Sequence, residues 1–563
     1  MIHGYVAILA AGAVLLVLGV ASARATLRFW NETRFLAPVY ATAGIGVLLW
    51  VQFLVTWLLP PAGGAVAYLI VGVALIYVGA TRAWTVLVPR GLPLMAIVVA
   101  LSAFYLGLLY FWQSGLGEFE LAAVRFAPST TPMPVDNVIP YLLSTRIQDG
   151  DSTHALILSW NGGDRPPLET GFILMTRYIL GGLNITSTTL AFAAGFVVQL
   201  LWVPSLWALL RSFAFPRAAA VLGTVLAGVA ATSLINTTYT WPKLLSAALV
   251  MGSLAILTAA VRNRELRPIT LPVSATLFAL GLLAHGAAVF SLPALCVLAI
   301  ILFIRTGWKR AIRPIGVGIT SAVIAYLPWT AYQKFADPPG DRLLKWHLAG
   351  VEVPDDRSFL RTLIDSYAHV SPMEFIQAKT HNLAIIFDPN FLVGLARLDP
   401  ESIGARRHSE YYDTSVALGV ATPVVLALIV ALMVCAIARR RPSYFTRISA
   451  VGAGLMGLCI VFWWAALFSA GGTVVHQGSH VWILVLYGIS AAWLATVRWW
   501  LPGVAILSQF ALTVVYYVPF FGSSLIRWPA VASAVLGALL LGVSVWITLR
   551  DMQCHLPRQR RLT

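Results

Sequence analysis

The chain is poor in charge: only 11% of its 563 residues are Asp, Glu, Lys or Arg. Acids are scarcer than bases, 22 against 38. With 59% hydrophobic residues and a mean hydropathy of +0.82, this shortage excludes an ordinary soluble domain and points to a polytopic membrane protein. Cysteine is nearly absent. Cys296, Cys435 and Cys459 lie in apolar runs and Cys554 lies in a basic tail, so neither a disulfide framework nor a cysteine metal site is expected. The first apolar run, "VAILAAGAVLLVLGVAS", has no basic stretch before it and no small-residue cleavage motif after it. It reads as a retained helix, not a signal peptide. Tandem repeats and low-complexity tracts are also missing.

What the chain does have is apolar length. A spanning helix needs roughly 20 apolar residues, and about fifteen runs qualify. Their centres fall near residues 14, 47, 73, 102, 198, 226, 251, 279, 296, 321, 425, 458, 487, 510 and 538. The expected fold is an all-α polytopic membrane protein of about 15 transmembrane helices. The net charge of +16 gathers between the runs, in "RATLRFWNETR", "VRNRELR", "IRTGWKRAIR", "ARRRPSYFTR" and "RDMQCHLPRQRR". With the N-terminus outside, every one of these faces the cytoplasm, as the positive-inside rule requires. The charge thus reports orientation and anionic lipid headgroups, not nucleic acid. The expected location is the cytoplasmic (inner) membrane, with the C-terminus cytoplasmic.

The acids are placed differently. Only Glu32, Glu265 and Asp551 lie elsewhere; the other nineteen lie in, or abut, two segments at 113–184 and 331–412. Both segments face outside in this topology, and long loops of mixed chemistry usually carry function. No expected span contains a carboxylate, which counts against an ion-coupled transporter. Residues 133–151 read "MPVDNVIPYLLSTRIQDGD". Val138, Ile139, Leu142, Leu143 and Ile147 recur at helical spacing, predicting an interfacial amphipathic helix over about 137–147. Asp136 stands at its start, either as an N-cap or as a working carboxylate. Residues 160–181, "WNGGDRPPLETGFILMTRYILG", predict a second such helix over about 167–180. Asp164 cannot cap that helix forwards, because Pro166 and Pro167 have no N–H. Arg165 offers a bidentate grip on a carboxylate or phosphate, or simply pairs with Asp164.

An acidic residue opening a juxtamembrane helix, with x-Pro-Pro-Leu about thirty residues on, resembles the first outer loop of GT-C membrane glycosyltransferases. These include protein O-mannosyltransferases, the lipid A aminoarabinose transferase and arabinosyltransferases. "PRAAAVLGTVLAGVAATSLINTTYTWPKLLSAALVMGSLAIL" resembles their paired helices with a short outer turn. "LPVSATLFALGLLAHGAAVFSLPALCVLAIIL" is similar to their next pair, and "IAYLPWTAYQKF" to the Pro-Trp that closes a later helix. The resemblance covers roughly 92–345. It implies extra N-terminal helices at 1–91, a GT-C-like catalytic core at 92–345 with its outer loop at 113–184, a second outer segment at 331–412, and a C-terminal bundle with a basic tail at 413–563. Where many members have Asp-Glu, this chain has Asp136-Asn137; where relatives often have His or Lys before Pro-Pro, it has Asp164-Arg165.

The resemblance implies transfer of a sugar from a polyprenyl phosphate to an acceptor hydroxyl on a glycan, lipid or protein, at the outer face. Asp136 would be the general base, and Asp164 is the second catalytic candidate. The departing lipid phosphate needs cations, for which Arg165, Lys243 in "TYTWPKLL" and Arg527 in "SSLIRWP" are candidates. His285, His476 and His480 fall at expected outer helix ends. Arg342 could reach phosphate, and Trp346, Tyr411 and Tyr412 could stack on sugar faces, in a second segment expected to cover the first. No cofactor is required by this chemistry, no metal site is assigned, and dependence on a divalent metal stays open. Two rival readings remain: an O-antigen ligase or polymerase using diphosphate-linked glycans, and a lipid or solute transporter.

Overall fold

The computed structural model describes residues 1–30, 34–86, 92–127, 132–353, 355–386, 400–412, 414–469, 480–518 and 526–559. Among them there is no strand, only two isolated bridges, Trp112 with Ile526 and Ile157 with Trp160. Helix is the expected outcome for such a sequence: in lipid every backbone polar group must be satisfied within its own segment. All fifteen apolar centres fall inside helices. Their number as single membrane crossings is smaller. Among the described residues ten helices are long and apolar enough to cross a membrane, and a bent pair makes eleven. Four others, Pro93–Leu109, Thr270–Ala284, Ala421–Ile437 and Leu501–Tyr517, are apolar but shorter. The count of about fifteen therefore counted apolar segments, not full-length spans.

Ser187–Ser212 and Lys243–Asn263 are buried along nearly their whole length and form the centre of a polytopic helical membrane protein. Trp308–Ala336 and Trp528–Cys554 lie at its edge. They expose Ile319, Val323, Ile324, Leu327, Leu539 and Ile547, side chains suited to lipid. Small residues let helices approach closely. A Cβ on Gly107 would sit 2.3 Å from the backbone nitrogen of Ala534, so Leu92–Leu109 and Trp528–Gln559 pack backbone to backbone there.

One bend positions the site. Arg217–Gly228 and Ala231–Thr238 meet at 65°. The carbonyls released by the break are satisfied: Tyr105 Oη donates to Gly228 O, and Thr513 Oγ1 donates to Val229 O at 2.7 Å. Beyond the bend, Tyr239, Thr240, Trp241 and Pro242 lead into the helix that Lys243 opens.

In the first segment, helices run over Glu118–Arg125, Ile139–Asp149 and Leu168–Leu180. The last two, at about 16 and 20 Å, are too short to cross a bilayer. Asp136 lies before the first of them, in a short turn at Val135–Val138. The helix's cap position is Val138 and no side chain caps it, so Asp136 is not its N-cap.

Candidate active site

Neighbouring residues hold Asp136 in place. Asn137 is buried and its Nδ2 donates to Phe119 O at 2.9 Å. Tyr239 Oη donates to Pro134 O. Between these anchors the Asp136 side chain keeps about a quarter of its surface open (27%), and Oδ1 lies 3.5 Å from Arg165 Nη2. The carboxylate therefore pairs with the second motif of the loop, not with its own helix.

Arg165 is buried and faces two indoles: its guanidinium lies 4.2 Å from the Trp160 ring and 5.2 Å from that of Trp241. Its Nε has no hydrogen-bond partner. Such stacking fixes the plane of the guanidinium and leaves its edge for another group. Asp164 does not pair with it. Asp164 Oδ2 instead accepts from Asn161 N–H at 3.0 Å, closing a capping box around the turn Gly162–Asp164. The prolines rule out a forward cap, but a backward one needs no N–H from them. Burial holds the Asp164 carboxyl above the usual carboxylate range, against the pull of the Asn161 N–H, Arg342 and Arg165.

The second acid-rich segment closes on this turn. Asp337, fully buried, accepts from Thr153 Oγ1 (2.9 Å) and Gly163 N–H (2.7 Å), and its Oδ1 lies 2.6 Å from His154 Nδ1. Thr153 Oγ1 also lies 2.5 Å from Tyr332 Oη. A Cβ on Gly163 would meet Asp337 O at 2.5 Å, so only glycine admits this approach. Gln333 Nε2 donates to Gly163 O at 2.9 Å. Arg342 Nη1 donates to Ser159 O at 2.7 Å, and its guanidinium stands 3.6 Å from the Trp160 ring. Trp346 lies 6.1 Å from Trp160 and stacks on His347. Residues 332–346 of the second segment thus cover the first loop, through Arg342 and Trp346 among others.

Lys243 completes the cluster. It is buried, begins a 21-residue helix, and its Nζ is 5.9 Å from the Tyr411 ring. A cation at a helix N-terminus opposes the macrodipole, while an anion there is favoured by it. Burial raises the Tyr239 phenol well above its ordinary pKa, and Tyr411 and Asp136 add to that. Asp136, Arg165 and Tyr411 thus each lie within electrostatic reach of Tyr239. His285 accepts from Ala287 N–H through Nδ1 at 3.1 Å, and its ring lies 6.0 Å from both Trp241 and His480. His347 is pushed down to about 4, first by burial and then by Arg165.

Arg527 is engaged elsewhere. Its N–H donates to Phe111 O and its Nη2 donates to Ser114 O, both near Tyr110 and Glu118. His476 and the Tyr412 side chain lie outside the described residues. Among the described residues no group of three His, Cys, Asp or Glu could hold a metal. Asp337, Trp160, Tyr239 and Trp241 were not singled out from sequence. A Trp, two glycines and an acid in "SWNGGD", and an acid just past the apolar helix ending "AYQKFAD", are the signals that mark them.

No protein-family model matches the chain, and no curated protein matches it. Solved structures that the chain is similar to include two oligosaccharyltransferases. The archaeal oligosaccharyltransferase AglB from Archaeoglobus fulgidus, in complex with an inhibitory peptide and a dolichol-phosphate, has a TM-score of 0.40 and 12% identity. That alignment covers 82% of this chain and 55% of the other. The oligosaccharyltransferase of the same organism in its apo form gives 0.39 and 14%, covering 82% and 56%. The chain thus spans just over half the length of these proteins.

Proposed function

We propose that the protein is a GT-C-type membrane glycosyltransferase that moves a sugar from a polyprenyl-phosphate donor to an acceptor hydroxyl at the outer face of the membrane. The observation that carries this reading is the partly exposed Asp136 carboxylate beside buried Arg165, in a cluster that includes Lys243 at a helix N-terminus. Asp136 takes the acceptor proton as the hydroxyl oxygen attacks the anomeric carbon. The bond from that carbon to the phosphate oxygen breaks, and the lipid phosphate leaves carrying the bonding pair. Arg165, Lys243 and the N-terminal dipole of Lys243–Asn263 stabilise the charge that grows there. Trp346 and Tyr411 supply ring faces for the sugars. Asp164 is a positioning residue that fixes the turn presenting Arg165.

The test uses the full-length protein in lipid nanodiscs with radiolabelled sugar donors. Transfer from monophosphate-linked single sugars, lowered at least about a hundredfold in Asp136→Asn, supports the reading. Transfer only from diphosphate-linked oligosaccharides would favour a ligase or polymerase. Donor movement across liposomes with no transfer would favour a transporter.

A further inference from the structure

A second arrangement lies at the far end of the bundle. Lys243–Asn263 carries Lys243 at one end and Arg262 at the other, about 30 Å apart at 1.5 Å per residue. Arginines converge at the Arg262 end. Arg262 Nη1 donates to the carbonyl oxygens of Arg211 (2.9 Å) and Ser212 (3.1 Å), and its guanidinium lies 5.4 Å from the Phe35 ring. Arg217 is within electrostatic range of Arg211. Glu265, on the same side, is already held by Arg267 at 2.8 Å.

Arg211, Arg217 and Phe35 also line a cavity of ≈ 1070 Å³. Its walls come from Ile2–Trp30, Ala37–Leu58, Leu92–Leu109 and the span Ser187–Ser212. They present Leu16, Val20, Ile45, Val98 and Val197. The cavity follows the first helix from Tyr5 to Ala23, about 27 Å, close to the roughly 30 Å of a hydrocarbon core. Water needs two to four polar partners to occupy a site. These walls offer few, so hydrocarbon is the fitting occupant. Basic pockets between helices on the cytoplasmic side hold anionic headgroups.

We infer that this cavity holds one acyl chain of an anionic glycerophospholipid whose phosphate rests on Arg211, Arg217 and Arg262. The site is separate from the candidate active site and gives the N-terminal helices a purpose: they build a lipid seat. A zwitterionic lipid brings its own cation next to these arginines, which like-charge repulsion disfavours.

Native mass spectrometry of the detergent-purified full chain, with equimolar phosphatidylglycerol and phosphatidylcholine, tests this. One phosphatidylglycerol per chain is expected, preferred by at least about tenfold over phosphatidylcholine, where each tenfold is 1.4 kcal/mol. Arg211→Gln with Arg217→Gln should erase the preference. Gly12→Phe should lower retention of both lipids, because Gly12 lines the cavity and a Cβ there has only Val197 Cγ1 nearby, at 4.0 Å. Equal retention of the two lipids by the wild type would overturn the inference without any variant. So would unchanged retention in Gly12→Phe, or displacement of the lipid by a prenyl phosphate added at equal concentration.

Discussion

Asp136→Asn removes a proton acceptor while keeping side-chain shape and a polar contact with Arg165. Transfer should fall by roughly 10²–10⁴-fold with donor affinity largely kept. Asp149→Asn and Asp151→Asn should change little, since Asp151 sits in an exposed pair with Arg146. Turnover and donor binding of the three variants check this; near wild-type turnover in Asp136→Asn would remove the base assignment. Glu169 offers a different test. It is buried, accepts from Gln199 Nε2 at 3.2 Å, and burial raises its pKa well above the ordinary value. A carboxyl raised in the folded state contributes stability while protonated and loses it as pH rises through the folded pKa. The wild-type melting midpoint should therefore fall from pH 5 to 8, by the equivalent of up to about 1.4 kcal/mol per pH unit, while Glu169→Gln stays flatter. Parallel curves would show that Glu169 is ionised in the fold. Asp136 and Arg165 were legible in sequence because each stands at the head of an apolar periodic run. Their partnership was not: an Arg next to an Asp in sequence reads as a local pair, and only folding shows that Arg165 turns to Asp136 while Asp164 turns back to Asn161.

Among the elements, the joint between the two acid-rich segments depends on Asp337 and Gly163. Asp337→Ala leaves Thr153 and the Gly163 N–H without their acceptor, at about 1–3 kcal/mol each. Hydrogen exchange over residues 152–165 should rise and transfer should fall at least about tenfold. Asp337→Asn, keeping one acceptor oxygen, should lose less. Lost transfer with unchanged exchange would mean that Asp337 acts on the substrate, not on the joint. The two short helices were readable within one or two residues from apolar periodicity: expected at about 137–147 and 167–180, they run over Ile139–Asp149 and Leu168–Leu180. The docking of residues 332–346 on the first loop was foreseeable only from the position of the second segment. Its contacts join residues about 180 apart in sequence, and no local pattern encodes them.

For the whole molecule, hydropathy located every apolar helix but could not say which are long enough to cross. Four are short, and one run breaks at 65° where Tyr105 and Thr513 take over its carbonyls. Orientation follows from charge alone, so it needs its own experiment. Ser152→Cys and Ser358→Cys, at exposed positions in the two segments, should label from outside, and native exposed Cys554 only from inside. Labelling of Ser152→Cys only from inside would invert the topology and move the site to the cytoplasm. The most direct test of the central claim is a cryo-electron microscopy map of the full-length protein with a non-transferable polyprenyl-phosphate sugar. The account predicts phosphate density within hydrogen-bond reach of Arg165 and Lys243, with the sugar's anomeric carbon toward Asp136. Phosphate density bound away from both cations, with the Asp136–Arg165 pair unchanged, would contradict it.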